Sequence, residues 1–355
     1  MIDKIKKVLF ILPKDIGGAQ KMTIIISQLL PKEDYSVKYL VVGKKRHNDM
    51  SYLINDKSKI EYLNILNAWD FLTLRLVKIL KKEKPDIIFS SLMYLNARVI
   101  IAANIVGGIK IIVRNDNMLK NLRKDLFLLM KLTYKKAHLI IAQQEEMKEN
   151  LIQQLNLDEN KVVVRYNPID RNSIISKASE VSPYNDDKAI KYVWTGNFMP
   201  SGSKGQDILI RAFKIVKDRY PHSHLYLLGN YLTSSQYYKD IITYIVRNNL
   251  TDCVHIVGFQ ENPYPWVKNA DCFVLPSRIE GLPNALVDAM VLRKPVVATT
   301  CIPMISRMVK DGYNGFLVPS GDCNAMAEAM VKALNLKNFE MIYKPSTDKD
   351  FIELF

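Results

Sequence analysis

The chain has 355 residues, of which 48% are hydrophobic and 24% are charged. This balance is typical of a globular protein and excludes a disordered one, and the length predicts two domains. The formal net charge is +14, and residues 1–170 hold 29 Lys and Arg against 18 Asp and Glu. The excess charge therefore lies in the N-terminal half, where we expect any acidic partner to dock.

The first apolar run, at 8–12, is too short for the hydrophobic region of a signal peptide. The most apolar window, 99–113, is broken by polar residues and glycines, so we interpret it as a buried helix, a turn and a strand. The four cysteines are widely spaced and form no Cys-x-x-Cys pair, which argues against a disulfide framework or a zinc site. These patterns predict a cytoplasmic protein.

In chain order, apolar β-branched runs alternate with segments of helical period, and the pattern occurs twice. The first half predicts strands at 7–12, 37–42, 86–90, 110–114, 138–142 and 162–165, with helices at 19–30 and 69–84. The second half predicts strands at 191–195, 225–228, 254–257, 271–275 and 295–298, with helices at 206–218, 236–248, 285–292 and 324–333. This alternation predicts two doubly wound parallel sheets of the Rossmann-like α/β class.

The domain boundaries follow from the same pattern. Residues 171–189 are rich in Ser, Asp and Lys without sustained periodicity, which suits a linker. We therefore predict an N-terminal domain at 1–170, a C-terminal domain at 190–335 and a final segment at 336–355 that returns across the linker. Doubly wound sheets bind ligands outside the carboxyl ends of their strands, so two facing sheets predict a ligand site between the domains.

A carboxylate-bearing turn between a strand and a helix carries the strongest chemical signal. Residues 276–283 read P-S-R-I-E-G-L-P, with Glu280 in the turn, Pro283 near the helix start and Asp288 about two helical turns further on. The N–H groups at a helix start bind phosphate well, and the two carboxylates could each accept hydrogen bonds from ligand hydroxyls. This arrangement suits a sugar and a ribose on either side of a diphosphate. For isolated carboxylates, a cap and a solvated surface residue would be the simpler interpretation.

Two further loops have a composition suited to phosphate. Residues 194–198 read W-T-G-N-F, and residues 204–210 read K-G-Q-D-I-L-I after the same predicted strand, which favours a phosphate-binding role for Lys204. The loop after the first strand contains Gly17 and Gly18, which permit a close approach of the backbone to a ligand. A plain strand-to-helix turn would use the same glycines.

These motifs together resemble glycosyltransferase family 4, whose members are retaining enzymes of the GT-B fold. The likeness includes Ala289-Met290 and the P-V-V-A-T run at 295–299, and it extends from about residue 7 to residue 335. It implies that Glu280 contacts the donor sugar, that Asp288 contacts the ribose and that Lys204 grips the diphosphate. The remaining donor-binding residues implied by the resemblance are Gly17, Gly18, Gly196, Asn197, Arg278, Gly281, Leu282 and Pro283.

Three positions depart from the family pattern. Asp288 stands where Glu is usual, and Asn197 stands where Arg is most frequent, so that Arg278 is a candidate for supplying the missing charge. Asn115 occupies the position of a family His and is a candidate catalytic residue, able to orient a hydroxyl but unable to titrate.

The resemblance implies a transferase that moves a hexose or N-acetylhexosamine from a nucleotide sugar, with UDP expected from family frequency and without a metal or other cofactor. The expected acceptor is a glycan or a polyprenyl-diphosphate-linked glycan of a bacterial cell-surface polysaccharide or glycolipid pathway. Residues 118–136 place apolar residues at helical spacing beside six Lys and Arg, which favours peripheral contact with the anionic inner face of the membrane over an ordinary domain helix. The sequence contains no recognised nucleic-acid-binding motif. A sugar-nucleotide epimerase of the same fold and a catalytically impaired donor-binding scaffold are the alternatives.

Overall fold

The computed structural model of the chain describes residues 5–13, 18–43, 53–54, 56–63, 72–119, 122–186, 188–336 and 340–355. The chain divides into two compact units, each built on its own parallel sheet. Unit 1 comprises Met1–Ile169 together with Pro345–Phe355, and unit 2 comprises Asp170–Lys344. None of the helices in the described ranges is both long enough and apolar enough to cross a bilayer.

Unit 1 contains a seven-stranded sheet in the order β3-β2-β1-β4-β5-β6-β7. Its strands are β1 (Lys6–Pro13), β2 (Tyr35–Val42), β3 (Ile60–Leu63), β4 (Ile87–Ser91), β5 (Lys110–Arg114), β6 (Leu139–Ala142) and β7 (Val162–Val164). Its helices are α1 (Gly18–Gln28), α2 (Leu72–Glu83), α3 (Met93–Val106), α4 (Lys124–Thr133) and α5 (Glu145–Leu155). The chain winds outward from β1 and returns to β4 on its other side, which makes the carboxyl edge beside β1 and β4 the topological switch point.

Strand β1, an inner strand of the sheet of unit 1, is buried on both faces. Leu9 and Ile11 of β1 belong to one apolar core, whereas Phe10 and Leu12 belong to a second core on the opposite face. Successive side chains of a strand point to opposite faces, so burying both requires the continuous apolar run that the sequence contains.

The last eleven residues complete the core of unit 1. They contain helix α13 (Asp348–Ile352), whose Phe351 is fully buried. The ring of Phe355 stacks on the rings of Phe10 and Phe89, with both centroid distances 5.8 Å. The final segment predicted at 336–355 is thus found, from Pro345 onward, packed on unit 1.

Unit 2 contains a six-stranded parallel sheet in the order β10-β9-β8-β11-β12-β13. Its strands are β8 (Ile190–Thr195), β9 (Ser223–Leu228), β10 (Val254–Gly258), β11 (Cys272–Leu275), β12 (Val296–Thr299) and β13 (Gly315–Val318). Its helices are α6 (Arg171–Lys177), α7 (Gln206–Arg219), α8 (Gln236–Arg247), α9 (Tyr264–Asn269), α10 (Asn284–Val291), α11 (Pro303–Met308) and α12 (Cys323–Ala333).

Some elements differ from the sequence-based expectation. The segment predicted as a linker, 171–189, begins with α6, which packs against α9 and α10 and buries Ile174, so this segment is part of unit 2. Strand β3 was not predicted, because its four residues are at most half-buried and one of them is Glu61. Four half-buried residues do not produce the apolar run by which the other strands were recognised.

Candidate functional site

Two loops of unit 2 leave neighbouring strands at the same edge of the sheet. Strands β8 and β11 are paired in parallel, with Tyr192 opposite Cys272. The loop after β8 leads to α7 and carries Lys204, and the loop after β11 leads to α10 and carries Glu280. Because parallel neighbours end at a common edge, the two sequence motifs come together there.

An ion pair joins the two motifs. The ammonium Nζ of Lys204 donates to both Oε1 and Oε2 of Glu280, each at 2.8 Å. The hydroxyl of Ser277 donates to the same Oε1 at 2.7 Å. The Glu280 side chain is only 7% exposed, whereas the Lys204 side chain is 29% exposed. The carboxylate is therefore fixed from two directions, and the ammonium retains access to solvent.

The backbone holds the two loops against each other. The carbonyl of Ser203 accepts from the backbone N–H of Arg278 at 2.8 Å. Gly205 has a φ of +72°, and a Cβ there would lie 2.0 Å from the carbonyl oxygen of Pro276. Only glycine fits this close approach, which explains why it directly follows Lys204.

Arg278 and Asp207 form a second link between the same loops. The guanidinium donates to both carboxylate oxygens of Asp207 at 2.7 Å and to the carbonyl of Gly202 at 2.8 Å. Burial raises the pKa of Asp207, but the hydrogen bonds from Arg278 and Tyr237 outweigh it and hold that pKa below its usual range. Arg278 thus links the two loops through Asp207, and its predicted contact with a phosphate stays a prediction.

The start of α10 lies directly beside Glu280 in the chain. Gly281, Leu282 and Pro283 are buried and precede the helix, which has no acidic residue in its first turn and no side-chain cap. Its positive N-terminal end is therefore not neutralised by its own first turn, as a phosphate seat requires. Asp288 is half-buried in the second turn of the same helix, and its contact with a ribose stays a prediction.

Gly196 and Asn197 follow β8 directly. The side-chain oxygen of Asn197 accepts from the backbone N–H of Asn230 at 3.2 Å, and its backbone carbonyl accepts from Nε2 of Gln206 at 3.3 Å. Asn197 thereby ties together the loops after β8 and β9. Both hydrogen bonds of Asn197 are between neutral groups, so they do not require an Arg at this position.

Three of the predicted site residues belong to unit 1, namely Gly17, Gly18 and Asn115. Gly17 lies outside the described residues, whereas Gly18 is exposed at the start of α1. Asn115 is fully buried: its Oδ1 accepts from the hydroxyl of Tyr134 at 3.0 Å, and its Nδ2 donates to the carbonyl of Asn117 at 2.8 Å. Both ends of its amide are hydrogen-bonded inside unit 1, and the catalytic role of Asn115 stays a prediction.

Three supporting residues were missed by the sequence analysis. Ser277 orients Glu280, and Asp207 and Tyr237 hold Arg278 in place, with 2.8 Å between the Tyr237 hydroxyl and Asp207 Oδ1. Ser277 and Asp207 both lie inside the recognised motifs, so their spacing was visible. Tyr237 lies 30 residues further along the chain on α8, and no local pattern relates it to the site.

Comparison with known proteins identifies the class. Residues 16–173 match a family model described as Glycosyltransferase Family 4, and residues 189–336 match a model described as Glycosyl transferases group 1. The chain belongs to this glycosyltransferase family, and its two parallel-sheet α/β domains confirm the predicted GT-B fold class.

The relatives and solved structures agree with this assignment. An uncharacterised glycosyltransferase of Methanocaldococcus jannaschii is 31% identical, over 70% of this chain and 64% of the relative. The N-acetylgalactosamine-N,N'-diacetylbacillosaminyl-diphospho-undecaprenol 4-alpha-N-acetylgalactosaminyltransferase of Campylobacter jejuni is 27% identical, over 61% of this chain and 56% of that enzyme. The matches thus span somewhat over half the length of these two relatives. The crystal structure of Anabaena HepE in complex with UDP-glucose superimposes with a TM-score of 0.79 at 21% identity, covering 93% of this chain and 90% of that one.

Proposed function

We propose that the protein is a retaining glycosyltransferase that transfers a hexose or N-acetylhexosamine from a nucleotide sugar to a glycan or lipid-linked acceptor. The observation that carries the proposal is the contact between Lys204 and Glu280 beside the start of α10. One cation, one carboxylate and one helix N-terminus at a single sheet edge match the diphosphate and hydroxyls of a nucleotide sugar. UDP is the expected nucleotide, supported by the UDP-glucose bound to the structural neighbour HepE.

The proposed roles follow from chemistry and placement. Lys204 and the backbone of residues 281–283 would bind the diphosphate, and Glu280 would accept a hydrogen bond from a hydroxyl of the donor sugar. Asp288 would hold the ribose. As the sugar–phosphate bond breaks, negative charge grows on the leaving diphosphate, so preorganised donors that stabilise this charge lower the barrier. We propose that this stabilisation needs no metal ion.

The acceptor side of the proposal rests on unit 1. The named substrate of the Campylobacter jejuni relative is an undecaprenyl-diphosphate-linked glycan, which supports a lipid-linked acceptor here. On α4, Leu128 is 57% exposed and Leu132 is 64% exposed. Four exposed lysines lie on or just beyond this helix, at positions 124, 131, 135 and 136. Exposed leucines among lysines are suited to an anionic membrane surface, so we propose peripheral attachment to the inner face of the cell membrane.

Thermal unfolding with UDP, GDP and their sugars tests the donor site. A ligand at 100 times its dissociation constant stabilises the folded protein by about 2.7 kcal/mol, which is readily measured. We expect one nucleotide series to raise the unfolding temperature, and Lys204→Ala to abolish the shift. Lys214→Ala is the matched control, because Lys214 pairs only with Asp218 at the surface in the described contacts. If no nucleotide shifts the wild type, the donor site is refuted, and both the transferase and the donor-binding scaffold are refuted with it.

Product analysis then separates a transferase from the epimerase alternative. The wild type, a nucleotide sugar that passes the unfolding assay and a polyprenyl-diphosphate-linked acceptor should yield a glycosylated acceptor whose anomeric configuration matches the donor, as observed by NMR. An inverted product would refute retention, and an isomerised donor formed without acceptor would favour an epimerase.

For the membrane contact, co-sedimentation with phosphatidylglycerol vesicles should weaken in a Leu128→Ser, Leu132→Ser variant. Binding equal to that of the wild type would refute the role of α4.

A further inference from the structure

The two residues that the proposed function assigns to the donor form an ion pair with each other. Nζ of Lys204 lies 2.8 Å from both oxygens of Glu280, so each group is the counter-ion of the other. The nearby guanidinium of Arg278 is already paired with both oxygens of Asp207. A ligand that draws the Lys204 ammonium away therefore leaves Glu280 without its counter-ion.

We propose that donor binding is an exchange of partners that makes the site select a complete nucleotide sugar over a free nucleoside diphosphate, an inference that rests on the proposed function. A nucleotide sugar offers a diphosphate to Lys204 and a hydroxyl to Glu280, so both groups regain a partner. A free diphosphate satisfies Lys204 alone. It leaves a carboxylate that is 7% exposed with Ser277 as its remaining described side-chain partner, and an unpaired, nearly buried charge is costly.

The mobile half of this exchange is the lysine. The Glu280 carboxylate is held by the hydroxyl of Ser277, whose own carbonyl accepts from the hydroxyl of Thr299. Both Ser277 and Thr299 are fully buried. The Lys204 ammonium stands on a flexible four-carbon chain and is partly exposed. Re-pairing can thus occur by rotation of the Lys204 side chain alone, with the backbone of both loops unchanged.

The same exchange favours release of the product. Once the sugar has left, Glu280 loses the hydroxyl that replaced Lys204, while the diphosphate still occupies the ammonium. Re-formation of the ion pair then competes with the bound nucleoside diphosphate. A site built in this way binds the product more weakly than the substrate without any change of fold.

Glu280→Gln tests the exchange, because it removes the charge and keeps the shape of the side chain. We expect calorimetric titration to show that UDP, or GDP if the wild type prefers it, binds the variant roughly fivefold more tightly, the upper range for a partly exposed ion pair. The nucleotide sugar should not gain, because its hydroxyl loses a charged acceptor. The preference for nucleotide sugar over free diphosphate should therefore fall by about fivefold or more.

A double-mutant cycle removes the main rival explanation, direct repulsion between Glu280 and the diphosphate. If exchange is correct, adding Glu280→Gln to Lys204→Met recovers no diphosphate affinity, because no ion pair remains to be broken. Glu328→Gln is the matched control, since Glu328 pairs at the surface with Arg219, about 20 Å from Lys204 along α7, and should leave every affinity unchanged. Glu280→Ala carries the same expectation if the Gln variant does not give a cooperative unfolding transition.

The possible outcomes are distinct. Unchanged or weaker diphosphate binding by Glu280→Gln overturns the exchange, and so does an equal gain in the presence and absence of Lys204. In either case, if the wild type binds nucleotide through Lys204, the proposed donor site remains supported. A wild type that binds no nucleotide or nucleotide sugar overturns the proposed function and the exchange together.

Discussion

The close approach of Gly205 to Pro276 sets the distance between the loops after β8 and β11, and Gly205→Ala probes it directly. The added methyl carbon would lie 2.0 Å from the Pro276 carbonyl oxygen, far inside van der Waals contact. A non-glycine residue at φ of +72° costs about 1–2 kcal/mol. Displacing packed backbone typically costs a further ~1–3 kcal/mol, so we expect a total loss of stability of about 3 kcal/mol.

Gly312→Ala provides the matched control. Gly312 has the same φ of +72°, but a Cβ there meets nothing within 4 Å. Its substitution carries only the conformational cost, which is partly offset by the reduced entropy of the unfolded chain, so about 1 kcal/mol is expected. The difference between the two variants, about 2 kcal/mol, then measures the contact with Pro276.

Urea unfolding followed by tryptophan fluorescence is the assay, because Trp194 and Trp266 are two of the three tryptophans and both lie in unit 2. The nucleotide-induced shift in unfolding temperature is measured alongside. Gly205→Ala should lose that shift, since separating the loops moves Lys204 away from the start of α10, where the diphosphate is proposed to bind, and Gly312→Ala should retain it. Equal stabilities for the two variants would refute the argument that the loops touch, and a retained shift in Gly205→Ala would refute the dependence of the site on that contact.

Three further predictions concern other parts of the molecule. Arg278→Gln should lower the stability of unit 2 by about 1–2 kcal/mol in urea unfolding, because it leaves Asp207 without its charged partner; a loss equal to that of an Asp207→Asn, Arg278→Gln double variant would show that the pair acts as a unit, and additive losses would contradict it. Phe351→Ala should destabilise unit 1 by about 3–5 kcal/mol while sparing the nucleotide shift, and a loss of that shift would contradict the division into units. Burial lowers the pKa of both His224 and His255, which lie 2.9 Å apart between Nδ1 and Nε2, so the unfolded chain takes up protons first and the unfolding temperature should fall as pH drops below about 6.5. A profile that is no steeper in the wild type than in a His255→Phe variant would refute this last prediction.

Much of the fold follows from patterns that lie within single segments. The apolar run of β1 predicts burial on both faces, and the two cores that receive Leu9 and Phe10 confirm it. The same reasoning could not find β3, whose half-buried residues carry no apolar run. Nor could it show that α6 packs on unit 2, because seven residues between polar neighbours give too short a period to distinguish a helix from a linker.

The site was predictable as a set of residues and not as a set of contacts. Lys204 and Glu280 were recognised separately from their motifs. The ion pair between them depends on β8 and β11 being neighbours in the sheet, although 80 residues separate the paired Tyr192 and Cys272 (272 − 192). Arg278 was assigned to the ligand on charge alone. Its side-chain partner in the structure, Asp207, lies 71 residues away, and charge patterning within a segment does not reveal such a pairing.

The structure also explains why the two motifs carry the residues they do. The carboxylate of Glu280 is only 7% exposed and is paired with the ammonium of Lys204, which can approach it only because the residue after Lys204 has no side chain. Arg278 and Asp207 then fasten the same two loops from the solvent side. Lys204, Gly205 and Glu280 thus depend on one another, and a substitution at any of the three should change the environment of the other two.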